Sequence, residues 1–207
     1  MPEAIERFPL FPLGLVLLPR EVVPLHIFEE RYKRMIGECL EQRSEFGIVW
    51  MSDDGLKEIG CSAQVTQLLE RMEDGRMNVL VEGSRPFRLL RRIADMPYPA
   101  GDVELLDDAD DAGGDPLVAD DAHERYADLV ERVTDERPAS EQVSQLDAYA
   151  MAASVDFALH AKQKLLELRS EDERLAMVTE LFEAAMKRVD YVERATERAR
   201  TNGKLRG

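Results

Sequence analysis

Four prolines between residues 9 and 24 constrain the fold of the N-terminal region more than any other feature of the sequence. They are Pro9, Pro12, Pro19 and Pro24, and short apolar runs lie between them. Proline lacks the amide hydrogen that a strand donates to its neighbour, and it biases the preceding residue toward extended geometry. The segment therefore predicts short strands that begin or end at the prolines. From Phe28 onward the apolar residues recur at intervals of three and four, which predicts a helix over about residues 29–42.

Residues 46–106 contain short apolar runs separated by turn signals. The runs typical of strands cover residues 46–50, 59–70, 78–82, 86–93 and 100–106. Asp74-Gly75 is a strong hairpin signal between the second and third runs. Gly83-Ser84 separates the third and fourth runs and predicts a turn there. Many short strands, one early helix and a hairpin predict a small, strongly curved sheet or open barrel.

An acidic segment divides the chain into two predicted parts. Residues 107–121 are rich in aspartate and glycine and show no apolar periodicity. Like-charge repulsion and the conformational entropy of glycine disfavour packing, so we expect a flexible, solvated linker. The linker separates a β-rich part, residues 1–106, from a helical part, residues 122–207. The predicted fold class is α+β, with the β-rich part and its one early helix followed by a helical bundle that ends in a long helix.

The final predicted helix reaches about residue 200 and carries a stripe of apolar and small residues. The stripe consists of Val178, Phe182, Ala185, Val189, Val192, Thr196 and Ala199. Alternating spacings of four and three are typical of a helix that pairs with another helix in a coiled coil. They also fit a helix whose first half faces the core of its own chain, and we favour this arrangement. The chain is then a monomer, or a weak dimer through the C-terminal helix.

Charge and apolar patterning exclude several classes of partner. The net charge is −15, and most of the acidic excess lies beyond residue 99. Such a chain is repelled by phosphate backbones and by anionic lipid, so we expect no nucleic acid and no membrane partner. No apolar run approaches the ~20 residues that cross a bilayer, and no signal-peptide pattern opens the sequence. Cys39 and Cys61 fit reduced core residues, and these features together predict a cytoplasmic location.

Five separated segments carry a resemblance to a known family. They read FPLFPLGLVLLP at 8–19, PLHIFEERY at 24–32, FGIV at 46–49, EIGCSAQVTQ at 58–67 and NVLVEGSRPFRLL at 78–90. In this order they resemble the N-terminal substrate-recognition domain of Lon-type ATP-dependent proteases. FALHAKQKLLEL at 157–168 resembles the helical subdomain of that family more loosely. The resemblance implies a PUA-like β pseudo-barrel for the N-terminal part.

The sequence lacks the motifs of the common catalytic and cofactor sites. It contains no GxxxxGK[ST] phosphate loop, no GxSxG nucleophile elbow and no HExxH zinc motif. The Ser–Lys dyad of Lon proteases belongs to a C-terminal domain for which 207 residues leave no room. We therefore predict a non-enzymatic protein without cofactor or metal. An enzyme assembled from residues dispersed along the sequence remains the alternative.

The resemblance implies a protein that binds exposed apolar segments of unfolded or damaged polypeptides in protein quality control, with an ATP-dependent protease as a further candidate partner. The alternative is an adaptor that docks one specific protein, such as an ATPase or a protease, through the final helix. The candidate peptide-binding residues are Phe11, Leu13, His26, Tyr32, Met72, Met77 and Tyr98. Methionine side chains adapt to varied partners, whereas His26 also fits a simple hydrogen-bonding role near the start of the first helix.

Overall fold

The computed structural model describes residues 3–108 and 114–203, with side chains as far as residue 195. Residues 109–113 of the predicted linker lie outside this part. The chain divides into two units, one formed by Met1–Asp111 and Tyr149–Ser170 and the other by Ala112–Ala148 and Glu171–Gly207. We call them the strand unit and the helical unit and describe each by itself.

Strands dominate the first half of the chain and helices the second. In chain order the elements are β1 (Ala4–Leu13), β2 (Val22–Ile27), α1 (Glu30–Gln42), β3 (Phe46–Ser52), β4 (Gly55–Leu56), β5 (Ile59–Arg71), β6 (Met77–Ile93), β7 (Ala100–Leu105), α2 (Pro116–Thr134), α3 (Ser140–Val143), α4 (Ala148–Ala153), α5 (Leu159–Glu167) and α6 (Glu171–Gly203). This order confirms the predicted α+β class, with a β-rich part followed by helices that end in a long one.

The sheet of the strand unit closes on itself. Its strand order is β1-β7-β6-β5-β3-β4, and β1 also pairs with β3 in parallel. The path from β1 through β7, β6, β5 and β3 therefore returns to β1, as the predicted small barrel requires. The core inside contains Phe8, Leu10, Val49, Phe87, Val103 and Leu105. The rings of Phe8 and Phe87 meet edge to face with centroids 5.8 Å apart, an arrangement that aromatic pairs prefer.

The prediction that strands begin or end at the prolines is wrong for β1 and β2. β1 continues through both Pro9 and Pro12. Its paired strand changes directly after Pro9. Pro9 is opposite Ala100 of β7, whereas Leu10 is opposite Gly47 of β3. β2 contains Pro24 but pairs only with β6 among the described strands. A strand with one free side needs fewer amide donors, and this is where proline is tolerated.

The predicted turn at Gly83-Ser84 is also wrong, because β6 runs without interruption from Met77 to Ile93. Glycine is needed at position 83 for close packing. Its N–H donates to the Glu21 carbonyl at 3.0 Å, and its own carbonyl accepts from the Arg20 N–H at 2.8 Å. A Cβ atom at this position would collide with the carbonyl oxygen of Leu18. Gly83 thus lets the segment before β2 lie directly against the long strand.

Residues 149–170 belong to the strand unit, which differs from the predicted single helical part over residues 122–207. Lys162 on α5 pairs with Glu21 at 2.6 Å between Nζ and Oε1. Gln163 Nε2 donates to the carbonyl of Ile59 in β5 at 3.2 Å. Helical periodicity in the sequence shows which face is apolar but not which element that face contacts, and this explains the difference.

The helical unit is built around the contact of α2 with α6. Asp115 caps α2 by accepting from the Leu117 N–H at 2.9 Å, so the last residues of the predicted linker are helical. Tyr126 on α2 and Phe182 on α6 pack with ring centroids 5.5 Å apart. Val178 and Phe182 are buried and confirm that the first half of the stripe faces the core.

The second half of the stripe differs in exposure from the first. Val192 is exposed, and the side chains of Thr196 and Ala199 lie outside the described residues. No helix in the described part of the chain is both long and apolar enough to cross a membrane.

Candidate polypeptide-binding groove

A groove of about 600 Å³ lies where β2, β6 and β5 run side by side in the strand unit. We call it the β2–β6–β5 groove. Its apolar lining consists of Pro24, Leu25, Leu69 and Val79, and its polar lining of His26, Glu70 and Asn78. The pairing explains the polar part, because His26 is opposite Asn78 and Asn78 is opposite Glu70 in the sheet. The three polar side chains therefore form one row across three strands.

Hydrogen bonds run along the whole row. Asn78 Nδ2 donates to Glu70 Oε2 at 2.9 Å. The amide oxygen of Asn78 lies 2.6 Å from His26 Nδ1. Since that oxygen can only accept, His26 Nδ1 must donate to it. In the neutral ring this leaves His26 Nε2 as an acceptor.

A β-bulge shapes the β5 side of the groove. Leu68 is opposite Val79 and Glu70 is opposite Asn78, so Leu69 is an extra residue without its own partner. A bulge re-aims side chains that strict alternation would send to opposite faces. As a result both Leu68 and Leu69 are exposed, by 42% and 50%.

An exposed aromatic ring extends the apolar surface from the end of β2. Phe28 is 61% exposed, more than any other aromatic side chain of the strand unit whose exposure is described. Its ring stacks on that of His26, with centroids 5.9 Å apart and planes inclined by 21°. Exposed apolar side chains next to a groove are typical of binding surfaces.

The structure places only one of the predicted peptide-binding residues in the groove, namely His26. Phe11, Tyr32, Met77 and Tyr98 are buried in the strand unit, whereas Leu13 and Met72 are half-buried. The rings of Phe11 and Tyr32 pack against each other with centroids 4.2 Å apart. The four buried side chains are part of the core and are not accessible to a polypeptide in this structure.

Sequence reasoning missed Phe28, Leu69, Glu70 and Asn78 as residues of the groove and its margin. One signal was available, because the predicted hairpin is centred on Asp74-Gly75. A two-residue Asp74-Gly75 loop brings the right strands together but places Arg71 opposite Asn78, whereas the structure pairs Glu70 with Asn78. The bulge at Leu69 has no comparable signal in the sequence.

The two cysteines of the strand unit are not placed as reactive groups. Both cysteines are free and buried. Burial raises the pKa of the Cys61 thiol and, to a smaller extent, that of Cys39, so neither is poised as a thiolate nucleophile. Within the described residues no group of three or more histidine, cysteine or acidic side chains could hold a metal ion.

Residues 7–184 match the family described as the ATP-dependent protease La (LON) substrate-binding domain. Among curated relatives, "Lon protease 1" of Hydrogenovibrio crunogenus is 22% identical over 201 residues, which cover 90% of this chain and 24% of the relative. "Lon protease 2" of Desulfotalea psychrophila is 26% identical over 193 residues, which cover 84% of this chain and 24% of the relative. The chain thus spans about a quarter of the length of these relatives.

Two solved structures share the fold. A Lon N-terminal domain protein from Xanthomonas campestris superposes with a TM-score of 0.64 at 25% identity, covering 83% of this chain and 95% of that one. The N-terminal domain of Mycobacterium avium complex Lon protease superposes with a TM-score of 0.66 at 20% identity, covering 87% and 98%. The predicted resemblance is confirmed by both kinds of comparison.

Proposed function

Because the chain belongs to the ATP-dependent protease La (LON) substrate-binding domain family, we propose that it binds exposed apolar segments of unfolded or damaged polypeptides. Binding takes place in the β2–β6–β5 groove and involves no catalytic step by this chain. The single observation that carries the proposal is the exposed apolar surface of Leu68, Leu69 and Phe28 beside that groove. We place the protein in the cytoplasm, where such polypeptides arise, with an ATP-dependent protease as a candidate partner.

The apolar lining supports this kind of ligand. Unfolded chains expose leucine, valine and aromatic side chains that native proteins bury. Covering apolar surface gains about 25 cal/mol for each Å² removed from water, so several exposed side chains in one place are enough for a weak, adaptable contact. A native protein offers few such side chains and is expected to bind poorly.

The free side of β5 supports an extended ligand. β3 pairs with β5 only as far as Ala63, so residues 64–71 have β6 as their one strand neighbour in the described part of the chain. An extended polypeptide can add to such an edge through main-chain hydrogen bonds while its side chains enter nearby pockets. Main-chain pairing depends little on sequence, and this suits a protein that takes varied clients.

The proposal is tested with one model protein in two states. A reduced, alkylated and fluorescently labelled protein remains unfolded, whereas the same labelled protein with its disulfides intact is native. We expect fluorescence anisotropy to show saturable binding of the unfolded state only. Equal binding of both states, or binding of neither, contradicts the proposal.

A second candidate function is that of an adaptor for one folded protein, such as an ATPase or a protease. It is favoured by Tyr191 on α6, whose side chain is 74% exposed in the helical unit. An adaptor of this kind would be recovered with one stoichiometric partner after crosslinking. Tyr191→Ser would abolish that association and leave binding of unfolded protein unchanged.

A further inference from the structure

The carboxylate of Glu70 has no ion-pair partner among the described residues, although it lines the groove. Its one hydrogen bond in the described part of the chain is the one from Asn78, and no Lys, Arg or His there lies within ion-pair distance of it. By contrast, Asp102 pairs with Arg91 and Glu21 pairs with Lys162 in the same unit. The neighbouring Arg71 donates to the sulfur of Met77. Glu70 therefore brings an uncompensated negative charge to the groove.

The other polar groups of the row add one further acceptor and one N–H donor. Asn78 uses its amide nitrogen for Glu70 and its oxygen for His26. This leaves the second carboxylate oxygen of Glu70, the second N–H of Asn78 and, in the neutral ring, Nε2 of His26 for a ligand. The carboxylate oxygen and Nε2 are acceptors, and only the carboxylate carries a charge. A ligand that satisfies them must supply hydrogen-bond donors, and the carboxylate favours donors that carry positive charge.

We propose that the β2–β6–β5 groove selects polypeptide segments in which a lysine or arginine lies next to apolar residues. The cation donates to Glu70, while the apolar neighbours contact Leu69 and Phe28. This inference rests on the proposed function, because it names which unfolded segments the same groove takes. The net charge of −15 adds a long-range attraction for basic segments.

A purely structural role of the polar row makes a different prediction. Cross-strand polar pairs stabilise a sheet without any ligand. If that were their only role, removing the charge of Glu70 would alter thermal stability but not the choice between peptides. Peptide discrimination is therefore the measurement that separates the two explanations.

The test uses the full chain and three labelled peptides of equal length and equal apolar content. One carries a central lysine, the second has glutamine at that position, and the third has glutamate. We expect the lysine peptide to bind about three- to tenfold more tightly than the glutamine peptide, since exposed charged hydrogen bonds contribute modestly. The glutamate peptide should bind most weakly. The preference should shrink when the ionic strength approaches about 1 M, because the Debye length then falls to about 3 Å.

Two protein variants complete the test. Glu70→Gln keeps the side-chain size and should abolish the preference for lysine over glutamine. Glu82→Gln, on the same strand as Asn78 but outside the groove lining, is the matched control and should retain it. A preference that persists in Glu70→Gln overturns the inference, as does equal binding of the lysine and glutamine peptides by the unmodified protein. Equal binding leaves the proposed function standing, whereas binding of none of the peptides contradicts both.

Discussion

The phenol of Tyr98 donates a 2.6 Å hydrogen bond to Oε2 of Glu38 and so ties the segment before β7 to α1. Burial of the ring, together with the neighbouring carboxylate, raises the pKa of Tyr98 to about 12. The hydrogen bonds from Tyr98 and Arg34 hold the pKa of Glu38 below its usual range. The fold thus favours a neutral phenol beside an ionised carboxylate.

This pair predicts a loss of stability at alkaline pH. An unfolded tyrosine has a pKa near 10, so the folded value is the higher one. Its contribution to the free energy of unfolding is fully present below pH ~10 and is lost as the pH rises through about 12. Tyr98→Phe should cost about 1–2 kcal/mol at pH 8, because it removes a hydrogen bond to a charged group. The difference in the free energy of unfolding between Tyr98→Phe and the unmodified protein should disappear near pH 12.

Urea denaturation at both pH values checks this expectation. Tyr191→Phe is the matched control, since that ring is exposed, and it should follow the unmodified protein throughout. If Tyr98→Phe lowers the free energy of unfolding by the same amount at pH 8 and near pH 12, the phenol does not titrate as described.

Gly83→Ala should destabilise the strand unit. The added Cβ collides with the Leu18 carbonyl oxygen, which is backbone and cannot move aside without breaking the bonds between residue 83 and Arg20 and Glu21. Overpacking of this kind costs about 1–3 kcal/mol. Gly37→Ala on α1 is the control, because a Cβ there meets no atom within 4 Å and alanine favours helix by about 1 kcal/mol. Thermal melts of the two variants should therefore shift in opposite directions, and a Gly83→Ala melt at or above that of the unmodified protein would be inconsistent with the close packing.

The ion pair of Lys162 with Glu21 should anchor α5 to the strand unit. The two side chains are only 11% and 14% exposed, and Glu21 also accepts from the Leu18 N–H at 2.9 Å. Removing one partner leaves a poorly solvated charge, so Lys162→Met should cost about 2–4 kcal/mol. The double variant with Glu21→Gln should cost less than the sum of the single variants.

Lys187→Met tests whether the effect depends on burial. Lys187 pairs with Glu183 but is 80% exposed, so its substitution should change the free energy of unfolding by no more than about 0.5 kcal/mol. Additive effects of Lys162→Met and Glu21→Gln in denaturant titrations would mean that the buried pair is not coupled.

Much of the fold follows from local signals in the sequence. The apolar period after Phe28 predicted α1, and Asp74-Gly75 predicted the hairpin of β5 and β6. The two wrong predictions for the strands share one physical cause. Pro9 and Gly83 predict interruptions on local grounds alone. Each instead lies where its strand contacts a second neighbouring segment, and that contact depends on residues far away in the sequence.

The groove was harder to predict than the fold. Its row of polar residues follows from strand pairing, but the exposure of Leu69 follows from a bulge that changes the register by one residue. Apolar residues such as Phe11 and Tyr32 looked equally suitable for binding, yet they are buried. Sequence patterns identify apolar residues well, whereas their exposure depends on the complete set of tertiary contacts.

The exposed leucine and phenylalanine at the groove should be needed for binding of unfolded protein. Replacing either side chain by serine removes its apolar contact with the ligand. For a half-exposed side chain this contact contributes about 1 kcal/mol to binding. Leu69→Ser and Phe28→Ser should each weaken the affinity about three- to tenfold, and the double variant more strongly.

Leu90→Ser is the matched control for these two substitutions. Leu90 is 55% exposed on β6 of the same unit, similar to Leu69, but it does not line the groove. Circular dichroism should show that all variants keep their helix and strand content, because the substituted side chains are exposed. Anisotropy titrations with the unfolded model protein then compare the loss of affinity in Leu69→Ser and Phe28→Ser with that in Leu90→Ser. Equal losses at Leu69 and Leu90 would mean that unfolded chains bind to exposed apolar residues in general, and the groove would lose its role as a site.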